Sequence, residues 1–391
     1  MDTKQLDKEY IMNTYGRYNV ALKCGNGCTA LDENGKKYLD VSSGIGVNSL
    51  GYCDDGWVEA VSAQLNTIQH MSNYFYSEQP SKLAEKLCKL THFKKACFAN
   101  SGAEANECAI KIARKYSFDK YGNGRNEIVS LKDSFHGRTV TTLSATGQDN
   151  FHNYFFPFTE GFKYAEVNNI DSVKSEISDK TCAILIECVQ GEGGVNILDK
   201  SFVQELRKIC DEKDIILIVD EVQTGIGRTG KLFCYENFDI APDLITCAKG
   251  LGGGLPIGLC LCNKKLENVL QPSTHGSTFA ANPVVCAGAN YVIDKISDKE
   301  FLNEVNKKGA YLREKLEKLD GVKSVRGLGL MIGIELEKDN AKDISVKCVE
   351  NGLLIITAKN LLRMLPPLNI SYSEIDEAVE ILNKTIQEDK N

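Results

Sequence analysis

Residues 215–258, IILIVDEVQTGIGRTGKLFCYENFDIAPDLITCAKGLGGGLPIG, decide the fold. Two short apolar runs lie inside this stretch, residues 215–219 and 244–247, with Asp220 directly after the first and Lys249 just past the second. Uninterrupted apolar runs of this length, bounded by turn residues, predict strands buried on both faces of a parallel sheet. In such sheets the ligand crevice lies outside the carboxyl ends of the strands. Asp220 and Lys249 are therefore expected to point into one crevice from neighbouring strands.

An acid and an amine held there, beside Gly250, Gly252, Gly253 and Gly254, suit an aldehyde cofactor with a ring nitrogen, such as pyridoxal 5'-phosphate (PLP). Lysine forms the imine, and the carboxylate keeps the ring nitrogen protonated so that the ring withdraws electrons. Two plainer readings stay open for this stretch taken alone: Asp220 as a helix cap or half of an ion pair, and Lys249 as a solvated amine. Gly225, Gly227 and Gly230 also spell G-x-G-x-x-G, and residues 225–231 spell most of a Walker A loop. Both motifs need a following helix to hold phosphates. The aromatic run 232–238 followed by Pro242 is too short for one, and Leu232 stands where Ser or Thr should bind magnesium. A nucleotide-binding protein is the rival reading that these glycines leave.

The 391 residues suffice for two domains and a large core. A net charge of -7 and a pI near 5.5 give no basic face for nucleic acid or anionic membranes, so small molecules are the expected partners. The 15 cysteines are scattered, and the close pairs Cys24/Cys28 and Cys260/Cys262 lack zinc-site spacing, so no metal is expected. With a polar, acidic N-terminus, MDTKQLDKEY, and no apolar run long enough to span a bilayer, the expected location is cytoplasmic.

Taken in order, residues 29–31 and 37–40 flank the turn Asp32-Glu33-Asn34-Gly35 as a hairpin, and helical periodicity follows at Val58, Val61, Leu65 and Ile68 and at Leu83, Leu87 and Leu90. Residues 98–106, FANSGAEAN, read as a strand, a Ser-Gly turn and a helix start whose free N–H groups can hold a phosphate; a plain N-cap by Ser101 is the alternative. The strand 128–131 leads to DSFHGRT, residues 133–139, where Phe135 can stack on a flat ring and Arg138 can grip a carboxylate. His136 is either a general base or a packed loop residue. The strand 183–186 leads to ECVQGEGG, in which Glu192, flanked by glycines, is poorly placed for packing and Glu187 suits an orienting role. A helix over 200–212 returns the chain to the central stretch, giving a right-handed parallel α/β sheet. Past Gly258 the composition changes. A polar loop, 275–283, is expected to run into one long helix ending near Leu319, with strands at 329–336, 353–357 and 361–367 forming a separate α+β unit. Arg363 inside the last apolar run requires a facing carboxylate.

These residues resemble the class III aminotransferases of PLP fold type I. The resemblance is carried by NTYGR (13–17), SGIGVN (43–48), NSGAEAN (100–106), FHGRT (135–139), QGEGG (190–194), DEVQTG (220–225), AKG (248–250) and LRMLPP (362–367), in order along nearly the whole chain. It implies a large domain over 51–285 with a mainly parallel sheet flanked by helices, and a smaller α+β domain built from 286–391 and joined by 1–50. It implies that Lys249 binds PLP covalently and moves the proton, that Asp220 pairs with the ring nitrogen, and that Val222 and Phe135 sandwich the ring. Gln223 would bond the phenolic oxygen, and Ser101, Gly102 and Ala103 would hold the phosphate. Thr278 would reach the cofactor of a second subunit in a homodimer with active sites at the interface.

For substrates, the resemblance assigns Arg363 to the α-carboxylate of glutamate or 2-oxoglutarate, Glu192 to masking that arginine, Arg138 to the far carboxylate, and Tyr15 to the donor's α-end. The implied reaction moves the δ-amino group of N2-acetylornithine to 2-oxoglutarate, with ornithine, succinylornithine or 4-aminobutyrate as alternative donors. A non-catalytic member that keeps PLP as a structural ligand would need neither arginine. The chain departs from the family pattern at Ala280-Ala281, where two glycines are usual, at Cys188, and at residues 51–55.

Overall fold

A computed structural model describes residues 1–390. Its centre is a seven-stranded sheet of β1 (Lys95–Ala99), β2 (Glu127–Leu131), β3 (Phe162–Ala165), β4 (Thr181–Ile186), β5 (Ile216–Asp220), β6 (Leu244–Cys247) and β7 (Gly258–Cys262), in the spatial order β1-β7-β6-β5-β4-β2-β3. Six strands run the same way, and β7 is antiparallel to both its neighbours, β6 and β1. The expected parallel α/β sheet is thus mainly parallel, and β7 is a strand that the composition change at Gly258 concealed.

Alternation along each strand divides the core in two. Ile128, Ala183, Leu185, Ile216, Ile218 and Leu244 pack beneath the helix Gly102–Tyr121 with Ala109, Ile112 and Ala113. The alternate residues Val129, Ile184, Ile186, Leu217, Val219 and Ile245 face the other layer, with Leu83 and Leu87 of the helix Glu78–Leu90 and Val203 and Leu206 of the helix Lys200–Lys213. Burial on both faces is why these strands read as unbroken apolar runs.

The chain ends build two smaller sheets. Leu22–Asn26, Thr29–Asp32 and Lys37–Asp40 form an antiparallel set, joined in parallel by Leu353–Leu354 through the pair Leu353 and Leu39. Val322–Leu328, Met331–Leu336, Leu361–Met364 and Ile356–Ala358 form an antiparallel sheet.

Several expected boundaries move. The single helix expected after Pro283 is two, Pro283–Ile296 and Lys299–Leu316, because Asp298 caps the second by accepting from Phe301 N at 2.9 Å. The expected strand 353–357 is split between the two smaller sheets at Ile355. The strand Leu361–Met364 stops before Pro366, whose missing N–H cannot continue a ladder. Val322–Leu328, half exposed, and the N-terminal helix Thr3–Tyr10, with no buried residue, lack the apolar pattern that would have announced them.

Candidate active site

The carboxyl ends of β1, β2, β4, β5 and β6 open into one cavity of about 490 Å³, a size that suits a cofactor with a small substrate. The loop entering antiparallel β7 reaches the same edge and adds Gly254, Leu255, Pro256 and Ile257 to the wall. Of the residues assigned from the sequence, Ser101, Gly102, Ala103, Phe135, Arg138, Glu192, Asp220, Val222, Gln223 and Lys249 line this cavity.

Asp220, at the end of β5, pairs in register with Thr246, three residues before Lys249. Its Oδ2 accepts from Asn106 Nδ2 at 2.7 Å and lies 2.8 Å from His136 Nδ1, and its Oδ1 accepts from Val222 N at 2.9 Å. Asn106 is held in turn by Thr246 Oγ1, which donates to its Oδ1 at 2.7 Å, while its amide also reaches His136 O at 2.8 Å. Three donors from three elements leave this carboxylate one orientation. His136 is accordingly a buried orienting residue whose Nε2 has no partner among the described residues. Asn106 was not assigned a role from the sequence. Its signal is a lone amide on the buried helix face among Ala105, Cys108 and Ala109.

Lys249 holds a positive φ of 41° at the start of a short 3-10 turn, Lys249–Gly252. This left-handed conformation costs an L-residue about 1–2 kcal/mol, and a site residue is where such strain is kept. Burial, the largest influence, lowers the Lys249 pKa from the ordinary lysine value; Arg363 lowers it further, while Glu192 and Asp220 pull it up. A more readily neutral amine is a better nucleophile for a carbonyl.

The helix Gly102–Tyr121 begins at the cavity, and Ser101 caps it by accepting from Glu104 N at 3.2 Å. The first N–H groups of a helix have no intrahelical acceptor and are available to an anion. A side chain at Gly102 would come within 2.7 Å of Val222 Cγ1, so glycine permits the close approach of this turn to Val222.

Arg363, 2% exposed on Leu361–Met364, donates from Nη1 to Glu192 Oε1 at 2.8 Å and to Gln223 Oε1 at 3.0 Å. Gln223, expected on a phenolic oxygen, is engaged with this pair, its Nε2 lying 3.4 Å from Glu192. The Arg363 charge holds the Glu192 carboxyl below its usual range against the opposing effect of burial. Glu187, 5% exposed, accepts from Phe135 N at 2.9 Å and Gly191 N at 3.4 Å, fastening the loop of Phe135 to the loop of Glu192. Burial pushes its pKa up from 4.5 to about 7. Arg138 is exposed at the mouth, with its guanidinium over Phe151 at 4.3 Å and Phe135 at 5.6 Å.

Besides the buried Arg363, which reaches the cavity wall through Glu192 and Gln223, two assigned residues are outside it. Tyr15 is 72% exposed, with the Arg17 guanidinium 5.6 Å from its ring. Thr278 is exposed on a loop anchored by Asn100 Nδ2, which donates to Ser277 Oγ at 2.8 Å, and by Asn73 Nδ2, which donates to Ala280 O at 2.9 Å. No helix among the described residues is long and apolar enough to cross a membrane.

An acid and an amine at strand ends, a helix start and an arginine paired with a glutamate thus meet at one edge of the sheet. The family profile described as aminotransferase class-III matches residues 10–386, and the chain belongs to that family of PLP-dependent enzymes. It is 52% identical to an acetylornithine aminotransferase of Haemophilus ducreyi, with 98% of each chain covered. Among solved structures, an ornithine aminotransferase of Toxoplasma gondii matches with a TM-score of 0.94 at 28% identity, covering 100% of this chain and 96% of that one. An N-acetylornithine aminotransferase of Stenotrophomonas maltophilia matches with a TM-score of 0.86 at 32% identity, covering 99% of each.

Proposed function

We propose that the enzyme transfers the δ-amino group of N2-acetylornithine to 2-oxoglutarate, giving N-acetylglutamate 5-semialdehyde and glutamate, as a step of arginine biosynthesis. The observation that carries this reading is the Arg363–Glu192 pair at 2.8 Å. A pocket serving a dicarboxylate and an amine donor in alternation needs an arginine that can be offered or withdrawn, and a neighbouring carboxylate on a glycine-flanked loop provides that switch. The 52% identity to an acetylornithine aminotransferase supports the donor.

The residues present fit PLP. The aspartate is clamped by three donors, the lysine is walled in, and a helix start faces the cavity. Lys249 would attach it, Asp220 would face its ring nitrogen, Phe135 and Val222 would flank the ring, and the turn of Ser101, Gly102 and Ala103 would hold its phosphate. Bound there, PLP supplies an electron-withdrawing ring that stabilises negative charge at the reacting carbon. Lys249 Nζ removes the proton from the donor's δ-carbon. Arg138 orients the donor's far carboxylate, Tyr15 is a weaker candidate for the same end, and Gln223 stays close enough to both Arg363 and Glu192 to follow the switch.

Thr278 serves a second copy. Tyr74 and Tyr76, 95% and 103% exposed, sit beside Asn73, which fastens the Thr278 loop, and an aromatic patch of this kind suits a homodimer interface. The division into 1–50 and 286–391 around a large unit over 51–285 belongs to this reading, as does a cytoplasmic location, in which the free cysteines stay reduced.

Steady-state kinetics test it. Acetylornithine should give a higher kcat/KM than ornithine, succinylornithine or 4-aminobutyrate. Arg363→Leu should raise KM for 2-oxoglutarate by about 10²-fold, the loss expected when one partner of a buried charge pair is removed. A preference for ornithine would replace the donor, and an unchanged KM in Arg363→Leu would remove the switch.

A further inference from the structure

We propose that Cys97, Cys108 and His275, with Cys260 as fourth donor, form a binding site for a soft divalent cation, zinc(II), separate from the PLP pocket. The ligand atoms of Cys97, Cys108 and His275 all lie within 4.8 Å of one another. Cys260 pairs with Cys97 in register across β7 and β1, its sulfur lying outside the group whose atoms are within 4.8 Å of one another. Three sulfurs and one imidazole nitrogen are a donor set that binds zinc tetrahedrally, with Zn–S near 2.3 Å and Zn–N near 2.0 Å. Donors on such a tetrahedron are about 3.5–4 Å apart by these bond lengths, so Cys97, Cys108 and His275 need only a small contraction and the Cys260 side chain must turn to join them.

Packing alone accounts for part of this cluster. Cys108 and Cys260 are buried at 0% and 1% exposure and could serve as small core hydrophobes. It does not account for His275, a half-buried imidazole that a polar loop brings onto two thiols from far along the chain. The donors come from β1, β7, one helix and one loop, so sequence spacing could not reveal them. Cys97 and His275 are both partly exposed, which leaves a cation an entry path.

Lys111 Nζ lies 3.0 Å from His275 Nδ1. Whichever ring nitrogen takes the metal, this ammonium must leave Nδ1, which then carries either the metal or the ring's proton. Lys111 is exposed, and its second bond, to Thr274 O at 3.0 Å, can hold the ammonium near the site once it leaves Nδ1. Three thiolates, one neutral imidazole and a divalent cation carry one net negative charge, and Lys111 supplies the countercharge. On binding, three S–H bonds ionise, their protons pass to solvent, and three Zn–S bonds and one Zn–N bond form without any redox change. The bound ion would tie β1, which runs into the phosphate-facing turn, to the loop that carries Ser277 and Thr278.

The test uses the PLP-loaded full chain, stripped with a chelator under reducing conditions and titrated with cobalt(II) and then zinc(II). The expected result is one cation per chain, tetrahedral cobalt bands with thiolate charge transfer, and a thermal midpoint raised by zinc. Cys97→Ser and His275→Ala should each weaken binding at least tenfold, whereas Cys24→Ser and Cys53→Ser, at exposed thiols, should bind as the parent does. His275→Ala alters only a loop residue, so the test survives if a core cysteine variant fails to fold. No retained cation, an octahedral cobalt spectrum, or binding indifferent to Cys97→Ser and His275→Ala would overturn the proposal.

Discussion

Lys249 and Glu187 carry the sharpest consequences at the scale of single residues. Lys249→Ala should remove the visible band of the bound cofactor and lower kcat by at least about 10²–10⁴, the range for a lost acid–base group. Absorbance and steady-state rates check both, and a variant that kept the band and turned over normally would end the lysine assignment. Glu187 titrates at about 7 in the fold against an ordinary 4.5, so between those values the folded state holds a proton that the unfolded chain has released. Its contribution to stability is therefore complete below pH 4.5 and is lost as pH rises to about 7, a change of up to roughly 3 kcal/mol. Denaturant unfolding of cofactor-free protein across this window should show the slope, and Glu187→Gln, which has no proton to lose there, should reduce it, leaving the share of Glu221, which burial also raises to about 7.

At the scale of elements, the loop that carries Thr278 departs from the usual family pattern at Ala280-Ala281. Ala281 stands where glycine is usual, and its φ is 60°, so the left-handed turn is kept at the expense of strain. Ala281→Gly relieves about 1–2 kcal/mol and gives back about 0.4–1 kcal/mol in unfolded-state entropy. The variant should be modestly more stable, with a higher urea midpoint at unchanged slope; a lower midpoint would show that the Ala281 methyl makes contacts that outweigh its strain. The sequence was informative wherever an element is buried on both faces. β4, β5 and β6 appear as mainly apolar runs, and Glu187, Asp220 and Lys249 at or just past their ends line the cavity. β7 was hidden because its run, GLCLC, carries small and sulfur-bearing residues in place of branched ones. The break at Asp298 was hidden because apolar periodicity continues on both sides of it.

For the whole molecule, the chain-local parts of the pocket were legible and the long-range ones were not. Lys249, Asp220 and the 101–103 turn lie at strand ends that periodicity locates. The Arg363–Glu192 contact joins residues 171 apart, and the Asn106 and His136 clamp on Asp220 joins three elements, so each needed the fold. Asymmetry of exposure also belongs to this scale. Tyr74, Phe75, Tyr76 and Phe279 are 64% exposed or more, and Asn73 connects the first three to the Thr278 loop. Tyr76→Asp should shift sedimentation from dimer toward monomer and weaken PLP retention together, because one surface would serve both; loss of neither would remove the interface from the account.

The central claim is a lysine-bound PLP that accepts an amino group from acetylornithine and passes it to 2-oxoglutarate. Its most direct test is an absorbance titration of the PLP-loaded protein without a second substrate. The account predicts that N2-acetylornithine bleaches the visible band at far lower concentration than ornithine does, and that 2-oxoglutarate restores it. A band that ornithine bleaches more readily would contradict the assigned donor, and protein that forms no such band with added PLP would contradict the claim itself.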